Sequence, residues 1–157
     1  MKICLLAVGK TDTGWVREGL ETYISRLSRY VPFSVRELPD LKNASSLSRN
    51  QVKEKEGEAI LKSLSPSDTV ILLDERGEEF SSTGFARALE GRLACGGKGI
   101  VFVIGGAYGF SDAVYARSDG RISLSRMTFS HQMVRVIFVE QLYRAFTIMK
   151  GEPYHHE

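Results

Sequence analysis

Cysteine is nearly missing from this chain of 157 residues: Cys4 and Cys95 stand far apart, which excludes a disulfide framework and any paired-thiolate metal site. Both thiols read as reduced and structural. Proline is scarce, four in all, so collagen-like and proline-rich disordered classes are out. No apolar run approaches the roughly 18–20 residues that span a bilayer, and the one near the start, residues 3–8, is shorter than a signal peptide's core. The expected location is the cytoplasm, with no membrane partner. Charge of one sign is not in excess: 21 Lys and Arg against 19 Asp and Glu give +2, too small a surplus to announce a nucleic-acid binder. What is there, 43% hydrophobic and 25% charged residues, suits one folded domain over residues 1–157 with a real core.

Residues 3–8 form a continuous apolar run closed by Gly9, the pattern of a strand buried on both faces. Trp15, Leu20, Tyr23, Ile24 and Leu27 then recur at helical spacing, predicting a helix over residues 13–29 that Pro32 stops. A second strand is predicted over residues 33–38, a polar loop over 39–48, and a charged helix over 48–63 whose mixed Lys and Glu read as a solvated face. β-Branched and aliphatic residues predict a third strand over 69–73, ended by Asp74-Glu75-Arg76-Gly77, where a loop begins. Ser81 or Ser82 caps the next helix, which ends near the glycines at 96, 97 and 99. A fourth strand over 100–104, a short helix from Ser111, a brief strand over 122–124 and a long helix over 130–150 complete the chain. Five alternations of strand and helix predict an α/β domain, a mostly parallel sheet with helices on both faces. Ligands in such sheets bind beyond the carboxyl ends of the strands, here the loops after 73, 104 and 124.

The loop Gly105-Gly106-Ala107-Tyr108-Gly109 lets backbone approach a ligand closely, because no β-carbon intervenes. It fails the dinucleotide fingerprint, since position 104 is isoleucine and the loop follows the fourth strand. Hydroxyls at Thr128 and Ser130 are candidate caps of the last helix, and His131 falls in its first turn. That helix is apolar around more than one stripe, which fits a subunit interface or a central core helix equally. Within it Glu140 and Arg144 are spaced to pair, or Arg144 is held for an anionic ligand. The tail, residues 151–157, gathers Tyr154, His155, His156 and Glu157, and frayed termini are the usual reading of such an end. The three histidines match no zinc spacing, so no metal is expected.

Four segments are more specific. Leu73-Asp74-Glu75-Arg76-Gly77, Phe102-Val103-Ile104-Gly105-Gly106-Ala107-Tyr108-Gly109, Ser123-Leu124-Ser125-Arg126-Met127-Thr128-Phe129, and Gln141-Leu142-Tyr143-Arg144-Ala145 through Pro153-Tyr154-His155 together closely resemble the ribosomal RNA large subunit methyltransferase H family, small SPOUT-class enzymes that modify a pseudouridine. The likeness covers the whole chain in length and order, most specifically in its second half. It implies a trefoil knot near the carboxyl end, a homodimer, S-adenosylmethionine as methyl donor, and N3 of a pseudouridine in large-subunit ribosomal RNA, in an assembled ribosome, as acceptor. Carried over by position, the cofactor is expected at Leu73, Gly105, Leu124, Ser125, Arg126, Met127, Thr128 and Phe129, the three loops that the sheet argument selects. Tyr154, His155 and Arg144 are expected at the acceptor base, with catalysis completed across the dimer. Two other classes stand beside this reading: a noncatalytic RNA-binding or ribosome-assembly protein, and a nucleotide-dependent oxidoreductase.

Overall fold

The first apolar run becomes β1, Lys2–Val8, whose side chains divide by parity. Ile3, Leu5 and Ala7 enter one layer of core and Leu6 the other, as a strand covered on both faces requires. β4, Gly99–Ile104, is buried along its whole length, with Ile100, Phe102 and Ile104 in the first layer and Val101 and Val103 in the second. Around this pair, β2 (Phe33–Leu38), β3 (Asp68–Glu79) and β5 (Gly120–Ser123) complete a five-stranded, wholly parallel sheet in the order β2-β1-β4-β3-β5. These relations come from a computed structural model that describes residues 1–156. Glu157, the last titratable group of the tail, lies outside the described residues.

Helices α1 (Gly14–Leu27), α3 (Ser82–Ala94) and α5 (Met133–Met149) cover the first face, and α2 (Arg49–Lys62) and α4 (Asp112–Arg117) the second. Their starts are capped as the side chains allow. Ser48 and Gln51 form a reciprocal capping box, while the Ser81 and Ser111 hydroxyls accept from Gly84 and Val114, each cap contributing about 1 kcal/mol. One short turn of 3₁₀-helix, Ala44–Ser46, interrupts the polar loop.

α5 resolves the ambiguity in its pattern mostly toward the core. It lies between α1 and α3, buries Phe138, Val139, Leu142, Ala145 and Phe146, and sets the Phe138 ring 4.7 Å from that of Phe102. A buried Phe or Leu contributes about 1.5–3 kcal/mol. A strip at its amino end stays open, where Met133 is exposed and Val136 and Ile137 are half-buried. No helix among the described residues is long and apolar enough to cross a membrane.

One expectation is corrected. β3 does not end at Leu73 but runs on to Glu79, because both Leu73 and Glu78 pair with Ile122 of β5. The residues between them are thrown out of register as a bulge. Gly77 makes the rejoining possible: a β-carbon there would stand 2.7 Å from the backbone of Arg121 and Ile122, closer than any side chain tolerates.

Candidate functional site

The bulge in the middle of β3 and the carboxyl ends of β4 and β5 enclose a cleft of about 390 Å³. Leu73, Asp74 and Glu75 contribute one wall, Gly105, Gly106, Ala107, Gly109 and Phe110 a second, and Leu124, Ser125, Met127, Thr128, Phe129 and His131 the third. The walls are tied to one another. Thr128 donates its hydroxyl to Glu75 Oε2 at 2.7 Å, and Tyr115 donates to Asp74 Oδ2 at 2.5 Å. Burial, and then this bond to Asp74, pushes the Tyr115 hydroxyl up to about 12, so it stays a donor at neutral pH. Within the third wall, Met127 N–H donates to Ser125 Oγ at 2.9 Å and Ser123 donates to the Ser125 carbonyl at 3.0 Å. Among the described residues, no Lys or Arg lines the cleft.

The structure therefore brings seven of the eight expected cofactor residues together, all except Arg126. Its side chain is 85% exposed and pairs with Glu79 at 3.5 Å on the surface, outside the cleft lining. The glycines also make room for the protein's own side chains. A β-carbon at Gly105 would lie 2.9 Å from the Phe110 ring, and one at Gly106 2.4 Å from the Glu56 carboxylate. Gly109 has φ +82°, the left-handed region that glycine enters without strain.

The far end of the third wall is anchored by a charge in the core. Arg135 is fully buried and donates to the His131 carbonyl at 3.0 Å, the Val8 carbonyl at 3.1 Å, Thr11 Oγ1 at 2.8 Å and Glu37 Oε2 at 3.3 Å. Burial alone would raise the Glu37 carboxyl, but hydrogen bonds from Thr11 and the charges of Arg135 and Arg17 outweigh it and hold the carboxyl below its usual range. Thr128 is not the helix cap that its position suggested. Ser130 Oγ accepts from Met133 N–H at 3.1 Å, and His131 precedes the helix and lines the cleft.

Tyr154, His155 and Arg144 form a second group, none of them in the cleft lining. The tail folds back on α5 instead of fraying. Arg144 Nη1 lies 3.0 Å from His155 Nδ1, Arg144 Nη2 donates to Glu140 Oε1 at 2.5 Å, and Tyr154 donates to the same oxygen at 3.0 Å. The guanidinium also stacks over the Tyr154 ring at 4.8 Å. Glu140 is the hub, and its spacing to Arg144 had signalled only an ion pair. An arginine can only donate, so His155 Nδ1 accepts in this contact. Burial first, and then hydrogen bonds with Tyr23 and Glu140, hold the Tyr154 hydroxyl well above its ordinary range. The group presents donors and a fixed positive charge.

Comparison with known proteins bears on the family of the whole chain. The family model described as "Predicted SPOUT methyltransferase" matches residues 1–155. Proteins called ribosomal RNA large subunit methyltransferase H from Parabacteroides distasonis, Flavobacterium johnsoniae and Porphyromonas gingivalis are 55%, 54% and 55% identical to this chain, with the full length of each protein and of this chain covered.

Proposed function

The chain belongs to the SPOUT methyltransferase family, and on that premise we propose that it moves a methyl group from S-adenosylmethionine to N3 of a pseudouridine in large-subunit ribosomal RNA. The observation that carries this reading is the sign of the cleft. Asp74 and Glu75 line it and, among the described residues, no Lys or Arg does, so it suits a cationic sulfonium nucleoside and repels the pyrophosphate of a dinucleotide. Its size falls within the roughly 300–1,000 Å³ of small-molecule sites. The oxidoreductase reading loses its ligand on the same ground.

Leu73, Gly105, Leu124, Ser125, Met127, Thr128 and Phe129 are proposed to hold the donor, with Arg126 taking part through its backbone. When bound, the donor supplies an electrophilic methyl on sulfur, and the protein's work is alignment and charge control. N3 of the acceptor must lose its proton, which leaves to solvent water as the methyl passes from sulfur to nitrogen. With its one hydroxyl proton given to Glu140, Tyr154 meets the base through its ring and hydroxyl oxygen and does not remove the N3 proton. Arg144, which also engages His155 Nδ1, brings a cation that stabilises the anion left on the imide.

The cleft and the tail group share no lining residue within one chain, which supports a homodimer that sets the tail of one subunit against the cleft of the other. The open strip of α5, together with Trp15 at 60% exposure, offers the apolar surface for it. The same reading includes the trefoil knot near the carboxyl end, a cytoplasmic location and assembled ribosomes as substrate.

Incubation of the protein with radiolabelled S-adenosylmethionine and ribosomal subunits, followed by nucleoside analysis, tests the proposal. Label on N3 of pseudouridine in large-subunit RNA supports it. Donor binding with no label in any RNA overturns the acceptor, and failure to bind the donor favours a noncatalytic RNA-binding protein.

A further inference from the structure

α2 stands outside the three loops that form the cleft, yet three of its residues press on the loop between β4 and α4. Arg49 lies over the Tyr108 ring at 5.3 Å. A β-carbon at Gly57 would meet Ser111 Oγ at 2.4 Å, and one at Gly106 would meet the two Glu56 carboxylate oxygens at 2.4 and 2.5 Å. Glu56 thus occupies the space that a side chain at position 106 would fill, directly behind a residue that lines the cleft. Its Oε1 is buried and has no hydrogen-bond partner among the described residues, a costly state for an acceptor. Burial, and then the negative charge of Asp40, both push its carboxyl above the usual range. The other carboxylates at the cleft already accept from Tyr115 and Thr128.

We infer that Glu56 is a binding residue for the methyl donor and accepts, through Oε1 beside the bare α-carbon of Gly106, a hydrogen bond from the ammonium group of the donor's amino-acid end. The chemistry selects that group. A sulfonium has no hydrogen to donate, whereas an ammonium has three, and an orphaned buried carboxylate needs both a donor and a positive charge. The inference rests on the methyltransferase reading.

A binding cycle tests it by calorimetry, pairing wild type and Glu56→Gln with S-adenosylhomocysteine and its analogue lacking the amino group. Glu56→Gln should weaken S-adenosylhomocysteine about 10- to 100-fold and leave the desamino analogue within about twofold, a coupling that a merely structural residue does not produce. Gly106→Ala, which displaces the carboxylate, should repeat the pattern, with thermal melting showing that each variant is folded. Equal losses for both ligands would reduce Glu56 to a support of the loop, and unchanged affinities would remove it from the site. Either result overturns the inference while wild-type binding keeps the methyltransferase reading. Wild type that binds neither ligand overturns that reading instead.

Discussion

The cleft and the tail group are built by opposite means. The cleft is made by backbone: strand ends, a glycine turn and a bulge fix its walls, and its charged side chains are the acceptors Asp74 and Glu75. The tail group is made by side chains, with Glu140 of one helix gathering Arg144 and Tyr154, and Arg144 in turn holding His155. Acceptors suit a cationic donor, and donors suit a base that becomes an anion. On the proposed reading, methyl transfer uses both surfaces, so damage to one should separate binding from turnover.

The largest effect is expected from truncation after Gly151. Methyl transfer should fall to background while donor affinity, measured by calorimetry, stays within about twofold. A truncated protein with wild-type rate would return the tail to the frayed-terminus reading. Next, Arg144→Ala should slow single-turnover transfer about 10²–10³-fold, and Arg144→Lys should not restore it, because a lysine cannot pair with Glu140 and His155 in one plane. On the cleft side, Gly105→Ala brings a β-carbon to 2.9 Å from the Phe110 ring. Overpacking of this kind costs about 1–3 kcal/mol and should weaken donor binding about tenfold with little change in the rate of bound substrate. Equal effects on binding and turnover for any of these would erase the distinction between the two regions.

The smallest effect concerns the anchor of the third wall. Glu37 is held below the usual carboxylate range, so its unfolded form binds the proton more readily. Its contribution is present in full above the ordinary glutamate value of about 4.3 and is lost as pH falls through the lower folded value. Urea melts should show wild type losing stability below about pH 4.3, and Glu37→Gln losing less over the same interval. Identical acid profiles would mean that the pair with Arg135 does not hold the loop.

Much of this was legible in residues 3–8, 33–38 and 100–104, where unbroken or alternating apolar runs leave one interpretation and the strands follow it. The three loops were legible as well, since strand ends in a parallel sheet gather at one edge. The extension of β3 was not. Asp74-Glu75-Arg76-Gly77 is as polar as any loop, and only its closeness to β5, a tertiary fact, lets Glu78 and Glu79 pair again. Arg135 was hidden for a related reason: a charge in an apolar helix says that it needs partners but not where they lie, and they come from β1, the loop after it, β2 and the turn before α5. Glu56 looked like one more member of a charged, solvated helix, and its place behind Gly106 depends on how α2 packs on the glycine turn.

The central claim, that the cleft of one subunit works with the tail of the other, is tested most directly by mixing two inactive proteins. One carries Gly105→Val in the cleft and the other lacks the residues after Gly151. After exchange of subunits at equal amounts, half of the dimers should be mixed and each of these should hold one intact composite site, restoring about one quarter of wild-type methyl transfer. A mixture that forms mixed dimers but stays at background would mean that each subunit completes its own site, and would contradict the account.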